Sequence, residues 1–203
     1  MLPEIKPLPL VRVREPFEHP DWIFEPKIDG FRAVAYIEGG RCRLVSRRKN
    51  TYRSFNVLGA AVAHSLAGHT AVLDGEIVYL GADGRPQFYD LMRRRSPQYF
   101  YAFDLLWLDD EDLRELPLLE RKRRLREIVP RRDSFLRYVD AFDQGLELFR
   151  LTCEKDMEGI VGKWRSGAYV ENPPSWVKIK NPAYSQAEGR HELFSRAASL
   201  RKH

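Results

Sequence analysis

Apolar and polar residues alternate in several short stretches of this sequence, a pattern typical of half-buried β-strands. Phe31 to Ile37 and Arg41 to Ser46 are separated by Glu38-Gly39-Gly40, which predicts a hairpin because glycine accepts the backbone angles of a tight turn. We expect further strands at residues 71–80, 99–108, 159–164 and 176–180. The turn Ala82-Asp83-Gly84 closes the first of these.

Three other segments repeat their apolar residues at the helical period. One helix is predicted by Phe55, Leu58, Val62 and Leu66, and another by Leu146, Phe149, Cys153 and Met157. The third covers residues 117–129, with Pro117 in its first turn and Leu118, Leu125 and Val129 facing inward. Helices inserted between hairpins indicate an α+β fold with mostly antiparallel sheets.

The distribution of proline divides the chain into three parts. Six of the 13 prolines lie in residues 1–26, so we interpret residues 1–21 as an extended strap. Residues 22–180 hold the predicted strands and helices and form the main domain. The 23 residues after Lys180, residues 181–203, are too few for another domain and are interpreted as a tail that packs on the domain or reaches a partner.

Composition excludes several classes of protein. The chain has 203 residues, of which 43% are hydrophobic, enough for a packed core. It has no apolar run near the roughly 20 residues that cross a bilayer, and its N-terminus lacks the apolar stretch of a secretory signal. Two cysteines without a CxxC pair favour neither a disulfide framework nor a zinc site, and predict a reducing cytoplasm.

Charge indicates the type of partner. Lys and Arg number 34 against 29 Asp and Glu, and the 25 arginines outnumber the 9 lysines. Arginine binds phosphate with two parallel hydrogen bonds, so a net charge of +5 favours a nucleic-acid partner. An arginine-rich surface without such a partner has the same composition.

The segment Glu25-Pro26-Lys27-Ile28-Asp29-Gly30-Phe31-Arg32 has the strongest chemical signal. A lysine becomes a nucleophile when burial and cationic neighbours favour its neutral form, and Arg32 supplies such a neighbour. Gly30 allows a ligand to approach the backbone closely. Taken alone, KxDG is equally consistent with a surface loop holding an ion pair.

Four further segments follow in order. They are Ser46-Arg47-Arg48, Asp74-Gly75-Glu76, Phe103-Asp104, and Glu158-Gly159-Ile160-Val161-Gly162-Lys163 followed by Trp176-Val177-Lys178-Ile179-Lys180. Together with KxDG, this set resembles the nucleotidyltransferase (adenylation) domain of the ATP-dependent DNA ligases. The stretches YAFDLLWL at 101–108 and KNPAYSQ at 180–186 are similar to the bacterial end-joining ligases. The resemblance spans about Trp22 to Lys180 and implies a nucleotidyltransferase (ATP-grasp-like) fold.

The resemblance implies a role for each matching residue. Lys27 would attack the α-phosphate of ATP to form a lysyl-AMP intermediate. Lys178 and Lys180 would neutralise the phosphates, although an isolated KIK is more typical of a solvated strand. Since the two lysines are two residues apart on a strand, they share one face.

The remaining nucleotide-site residues follow from the same resemblance. Glu158 would hold Mg²⁺, with Mn²⁺ as an alternative and Glu76 as a second metal ligand. Glu76 and Arg32 would bind the ribose hydroxyls. Phe103 would stack on adenine, although a core aromatic fits its pattern equally well. The other residues assigned to the nucleotide are Glu25, Asp29, Arg47 and Lys163.

DNA contact is expected at exposed basic residues. The resemblance assigns Arg47 to the AMP phosphate and the 5′-phosphate of the nick. Arg48 and Lys49 add charge next to it, and we expect Arg93 and Arg94 to grip phosphates. Lys49 departs from the Ser-Arg-x-Gly that relatives carry, which puts the detailed DNA contact in question. The run Arg121-Lys122-Arg123-Arg124 is a weaker candidate, because charge runs on helices usually face solvent.

The resemblance predicts a cytoplasmic, nucleoid-associated DNA ligase that transfers AMP to the 5′-phosphate at a DNA nick and seals it to the 3′-hydroxyl. Full-length relatives continue into an oligonucleotide-binding (OB-fold) barrel, which 23 residues cannot form. We therefore expect a fragment, a chain that borrows a barrel or end-joining partner protein, or one that works without it. The alternatives are an RNA ligase and a nucleic-acid-binding module that no longer completes the reaction.

Overall fold

The computed structural model describes residues 2–131, 134–171 and 173–187. Its strands are β1 Val11–Arg12, β2 Trp22–Pro26, β3 Phe31–Glu38, β4 Arg41–Ser46, β5 Ala71–Tyr79, β6 Gln98–Leu108, β7 Glu111–Asp112, β8 Leu136–Tyr138, β9 Gly159–Trp164 and β10 Trp176–Lys180. Its α-helices are α1 Asn56–Ser65, α2 Phe88–Met92, α3 Leu118–Ile128 and α4 Gly145–Glu154, and short 3₁₀ turns lie at Arg53–Phe55 and Ser185–Ala187.

The larger sheet has six strands. Its order is β4-β3-β5-β6-β7, and β8 pairs in parallel with β6. The predicted hairpin of β3 and β4 is confirmed, with Gly39 and Gly40 at φ values of +56° and +71° that favour glycine. Arg32 of β3 pairs in register with Glu76 of β5, which brings two of the expected site residues side by side.

The smaller sheet has the order β1-β10-β9-β2. In it β9 runs antiparallel between β2 and β10, with Glu25 opposite Val161 and Lys178 also opposite Val161. Among the described strands, the pairs β1–β10 and β6–β8 are parallel and every other pair is antiparallel. The predicted α+β class with mostly antiparallel sheets is confirmed.

Three apolar clusters hold these layers together. The largest packs α1 and α3 against one face of the larger sheet, and includes the predicted inward residues Leu58, Val62 and Leu125. The second fills the space between the two sheets and contains Trp176. The third packs α4 against the outer face of the smaller sheet, where Val177 and Ile179 are buried. Lys178 and Lys180 therefore point away from that cluster.

Several element boundaries differ from the sequence prediction. Helix α4 ends at Glu154, so Met157 lies outside it, and the positive φ of Asp156 (+51°) marks the reversal of the chain. Leu148 and Thr152 are buried side chains of α4, whereas Leu146 is 49% exposed. Helix α3 begins after Pro117, and β5 ends before Leu80. The brief strands β1, β7 and β8 and the short helix α2 have too few residues to show a period.

The described residues of the strap pack against the domain. Val11–Arg12 adds a two-residue parallel strand to the smaller sheet, so the strap is not wholly irregular. Ile5 and Leu8 of the strap are 5% exposed and belong to the cluster between the sheets. The tail prediction for residues 188–203 lies outside the described residues.

Candidate active site

A cavity between the two sheets collects most of the predicted nucleotide-site residues. Its wall is formed by Leu10, Glu25, Pro26, Lys27, Ile28, Arg32, Glu76, Phe103, Val139, Val161, Lys163 and Trp176. Strands β2, β9 and β10 supply one side, and β3, β5 and β6 supply the other. Because the wall combines apolar and aromatic groups with a few charged ones, it suits a ligand that has both a flat ring and polar substituents.

Three of the predicted catalytic side chains form one charged cluster at this cavity. Glu158 Oε2 lies 2.7 Å from Lys27 Nζ, and Glu158 Oε1 lies 3.0 Å from Lys180 Nζ. Burial raises the pKa of Glu158, but the two lysines outweigh it and the net pKa is lowered. Burial, Lys27 and Lys180 lower the pKa of Lys178, which places a third lysine near the pair. The cluster concentrates positive charge beside one carboxylate, which suits a polyphosphate.

A second charged cluster is buried deeper in the cavity. Glu25 Oε1 lies 2.5 Å from Lys122 Nζ, and Glu25 Oε2 lies 2.6 Å from Lys163 Nζ. Burial is the main cause that lowers the pKa of Lys163 to about 8. The Lys163 Nζ atom also lies 4.0 Å from the ring centre of Trp176 and 4.4 Å from that of Phe103. Glu25 thus uses its side chain to hold two lysines, which leaves only its backbone for a ligand.

Arg32 lines the cavity and is held by hydrogen bonds to the fold. Its Nε and Nη2 atoms donate to the Asp74 carboxylate at 3.1 and 2.7 Å, and its Nη1 atom donates to the Leu8 carbonyl at 2.5 Å. Phe103 lies edge-on to Trp176, with ring centres 5.8 Å apart. Arg32 is therefore bound to the fold and to the strap, and Phe103 is a cavity-wall aromatic rather than a fully buried core residue.

The carboxylates Glu76 and Asp29 complete the site. Burial raises the pKa of Glu76 to about 8, partly offset by Lys27 and Arg32. Asp29 is 5% exposed and accepts a hydrogen bond of 2.7 Å from the Tyr184 hydroxyl. The described residues contain no cluster of three or more His, Cys, Asp or Glu side chains suited to a metal. The carboxylates of Glu158 and Glu76 still suit Mg²⁺, because this ion usually takes few protein carboxylates and completes its shell with water and phosphate.

The basic residues expected to meet DNA lie outside the cavity and are exposed. Arg47 is close enough to Lys178 to contribute to its lowered pKa. Lys49 has a φ of +63°, a conformation that favours glycine, and its Nζ atom lies 2.6 Å from Glu4 Oε1 of the strap. Arg94 lies over the Phe55 ring at 4.6 Å, and Arg93 lies 3.5 Å from Asp90. Arg47 and Arg48 form no ion pair among the described residues.

The basic run of α3 does not form a phosphate-binding face. Arg121 is fully buried and donates two hydrogen bonds of 2.8 Å to Asp104, while Lys122 is buried against Glu25. The outer members are paired on the surface, Arg123 with Glu120 and Glu127, and Arg124 with Glu120 and Glu111. This run was the weaker candidate for DNA contact, and in the structure each of its four side chains is already paired with a carboxylate.

Comparison with known proteins decides the family. Residues 10–180 match the family described as "ATP dependent DNA ligase domain". The chain belongs to the ATP-dependent DNA ligase domain family. The "Multifunctional non-homologous end joining protein LigD" of Pseudomonas aeruginosa is 33% identical over 169 residues, which are 79% of this chain and 20% of that protein. This ligase domain therefore spans about one fifth of that relative's length.

Other relatives agree with this assignment. The "SPbeta prophage-derived DNA ligase-like protein LigB" of Bacillus subtilis is 27% identical over 90% of this chain and 69% of its own. A solved structure described as "mycobacterial DNA ligase D complexed with ATP and MES" superposes with a TM-score of 0.73 and 29% identity, covering 85% of this chain and 60% of that chain. The nucleotidyltransferase fold predicted from the motifs is thereby confirmed.

Sequence reasoning missed three residues of this ligase domain's site. Trp176 lines the cavity, Lys122 neutralises Glu25, and Tyr184 holds Asp29. A signal existed for Lys122, because Leu118, Lys122 and Leu125 lie on one face of a helix at spacings of four and three residues. Nothing local distinguishes Tyr184, since its partner is 155 residues away in the sequence.

Proposed function

We propose that this ligase domain transfers AMP from ATP to Lys27 and then to the 5′-phosphate at a nick in duplex DNA. The observation that carries the proposal is the ion-paired cluster of Lys27, Glu158 and Lys180, in which Lys27 lines a cavity with aromatic walls. An adenine ring fits between the apolar walls, and the triphosphate then points toward the lysines. No helix in the described part of the chain is long and apolar enough to cross a membrane.

The first step is an in-line substitution at the α-phosphorus. A bond forms between Lys27 Nζ and that phosphorus, the bond to the bridging oxygen breaks, and pyrophosphate leaves with the electron pair. Lys27 must release a proton to solvent before it attacks, and Glu158 holds that ammonium at 2.7 Å until then. Lys178 and Lys180 stabilise the charge on the phosphate oxygens, so positioning and charge neutralisation supply most of the rate.

Glu158 and Glu76 are the residues that would hold Mg²⁺ or Mn²⁺. When bound, the ion supplies charge neutralisation at the phosphate oxygens. A carboxylate that changes partner from Lys27 to the cation would leave the lysine less strongly held as an ammonium. Glu76 also lies opposite Arg32 in the sheet, which supports a role for its carboxylate in accepting a hydrogen bond from a ribose hydroxyl.

The acceptor is nicked duplex DNA. AMP passes to the 5′-phosphate, and the neighbouring 3′-hydroxyl then displaces AMP to form the phosphodiester. Arg47 and Arg48 are exposed, and Arg47 lies near Lys178, which supports a role for both arginines in binding the phosphates of the nick. We propose that this takes place in the cytoplasm, at the nucleoid, with an OB-fold or end-joining partner protein assisting the grip on DNA.

The test is incubation of the chain with α-labelled ATP, a divalent metal and nicked duplex, following protein-AMP, DNA-adenylate and sealed product separately. We expect label on the wild-type protein and none on Lys27→Ala. Lys6→Ala is the matched control, because Lys6 is also ion-paired at 2.7 Å, with Glu171, but on the surface. Equal labelling of Lys27→Ala and wild type would refute the nucleophile, and preference for nicked RNA would change the acceptor.

A further inference from the structure

The seven residues after the last strand of the site, Asn181 to Ala187, are attached to neighbouring loops of the domain by their side chains. We call this stretch the clamp. Asn181 Nδ2 donates to the Met157 carbonyl at 3.0 Å, and Ser185 donates its backbone N–H to Asp156 at 2.8 Å and its hydroxyl to the same carboxylate. Gln186 Nε2 donates to the Pro86 carbonyl at 2.9 Å. The clamp thus contacts the residues just before β9 and just before α2.

Tyr184 connects the clamp to the nucleophile loop. Its side chain is 4% exposed, and its hydroxyl donates to Asp29 Oδ2 at 2.7 Å. Asp29 is two residues from Lys27 and is itself 5% exposed. A hydrogen bond between a buried hydroxyl and a buried carboxylate is stronger than the average neutral hydrogen bond. This contact therefore fixes the loop that carries Lys27.

The same stretch also fixes the partner of Lys27. Asn181 N donates to the Glu158 carbonyl at 2.9 Å, and Lys27 N donates to the Gly159 carbonyl at 2.8 Å. The Lys27 and Glu158 side chains then meet at 2.7 Å. The contacts form a closed ring that runs from Lys27 through Asp29, Tyr184 and Asn181 to Glu158 and back.

The loop has little freedom to compensate if this ring opens. A Cβ on Gly30 would lie 2.1 Å from the Ile77 carbonyl oxygen, and one on Gly159 would lie 2.1 Å from the Ile179 carbonyl oxygen. Such close backbone approaches transmit a shift at Asp29 to Lys27 instead of absorbing it.

We infer that Tyr184 is a positioning residue for the adenylation of Lys27, acting through Asp29. The inference rests on the proposed function, because it concerns the orientation of the proposed nucleophile. Tyr184 does not line the cavity, so its loss is expected to act on the rate of AMP transfer and not on nucleotide affinity. A displacement of about 1 Å between reacting atoms is worth roughly 100-fold in rate.

The experiment compares Tyr184→Phe, which removes only the hydroxyl, with Ser185→Ala, which removes a hydroxyl from the same clamp without touching Asp29. We expect Tyr184→Phe to lose about tenfold or more in the rate of label transfer at saturating ATP. The dissociation constant of an α,β-methylene ATP analogue, which cannot transfer AMP, is expected to stay unchanged. Ser185→Ala is expected to keep the wild-type rate.

Amide hydrogen exchange at Lys27 gives a second readout that needs no activity. We expect faster exchange of this amide in Tyr184→Phe and unchanged exchange in Ser185→Ala. A wild-type rate of labelling in Tyr184→Phe, or parallel losses of rate and of analogue affinity, would overturn the positioning role. If the wild type binds the analogue but takes no label, the proposed function fails. Exchange of the Lys27 amide then still tests the contact on its own, because unchanged exchange in Tyr184→Phe would overturn the inference that Tyr184 fixes this loop.

Discussion

The buried carboxylate of Glu25 provides the sharpest test of the energetics of this site. Its two oxygens lie 2.5 and 2.6 Å from the ammonium groups of Lys122 and Lys163, and all three side chains are at most 4% exposed. The variant Glu25→Gln keeps the shape of the side chain and removes its charge. It leaves two ammonium groups buried without a counter-charge, which is expected to cost about 3–5 kcal/mol of unfolding free energy.

The pH dependence of this cost follows from the lysines. Lysine has an ordinary pKa of 10.5, and burial already lowers the pKa of Lys163 to about 8 with Glu25 present. Burial also lowers the pKa of Lys122, but Glu25 and its other partners outweigh it and the net pKa is raised. Without Glu25, burial lowers the pKa of both lysines in the folded variant, so it releases protons at a lower pH than the unfolded chain does. Because the unfolded state then binds more protons, the stability of the variant rises with pH. We expect the loss of unfolding free energy in Glu25→Gln relative to wild type to shrink by about half or more between pH 7 and 9.5.

Urea unfolding at pH 7 and pH 9.5 measures both effects, and thermal unfolding at pH 7 is expected to show a midpoint lowered by roughly 10 °C. The matched control is Glu120→Gln on α3. Glu120 accepts three hydrogen bonds from Arg123 and Arg124, more than Glu25 accepts from Lys122 and Lys163. It lies at the surface, so its loss is expected to leave the midpoint nearly unchanged. Equal effects of the two substitutions, or a deficit of Glu25→Gln independent of pH, would refute the reasoning.

Three other expectations follow from the site and its surroundings. Burial raises the pKa of Glu76 to about 8, so ionisation of this carboxyl disfavours the folded wild type. Glu76→Gln is therefore expected to stabilise the protein progressively as pH rises from about 5 to 8, by at most roughly 4 kcal/mol of unfolding free energy in urea. A difference in unfolding free energy that does not change with pH would contradict this. Lys49→Gly is expected to raise the melting temperature by about 2 °C, since φ is +63° there and glycine adopts it without strain. A melting temperature below that of the wild type would show that the Lys49 side chain stabilises the fold by more than its backbone strain costs. Arg47→Ala and Arg48→Ala are each expected to reduce the slope of log affinity for nicked DNA against log salt by about 1. Arg123→Ala, already ion-paired on α3, is expected to leave it unchanged.

The sequence predicted the parts of the fold that have a regular period. The hairpin of β3 and β4, the long strands β5 and β6, and helices α1 and α3 each have enough residues to show alternation or a helical stripe. The brief strands β1, β7 and β8 could not be predicted, because two or three residues define no period. Their pairing depends on distant strands, as when Val11 adds to Val177 of β10.

The site could be predicted only as far as its residues recur in motifs. Lys27, Glu76, Glu158 and Lys180 were named from short segments, and the structure brings Lys27, Glu158 and Lys180 within ion-pair distance. The four basic residues 121–124 illustrate the limit of this reasoning. The sequence shows one continuous charge, but two of these side chains are buried counter-ions and two are surface ion pairs.

By itself, the sequence determined the class of fold, the order of the motifs and the identity of the chemical groups, because these depend on local periodicity and on residue type. Only the tertiary structure decided which charge neutralises which. Glu25 meets Lys122 across 97 residues of sequence and Tyr184 meets Asp29 across 155. Electrostatic interactions depend on distance and burial in space, and neither is encoded in the spacing of residues along the chain.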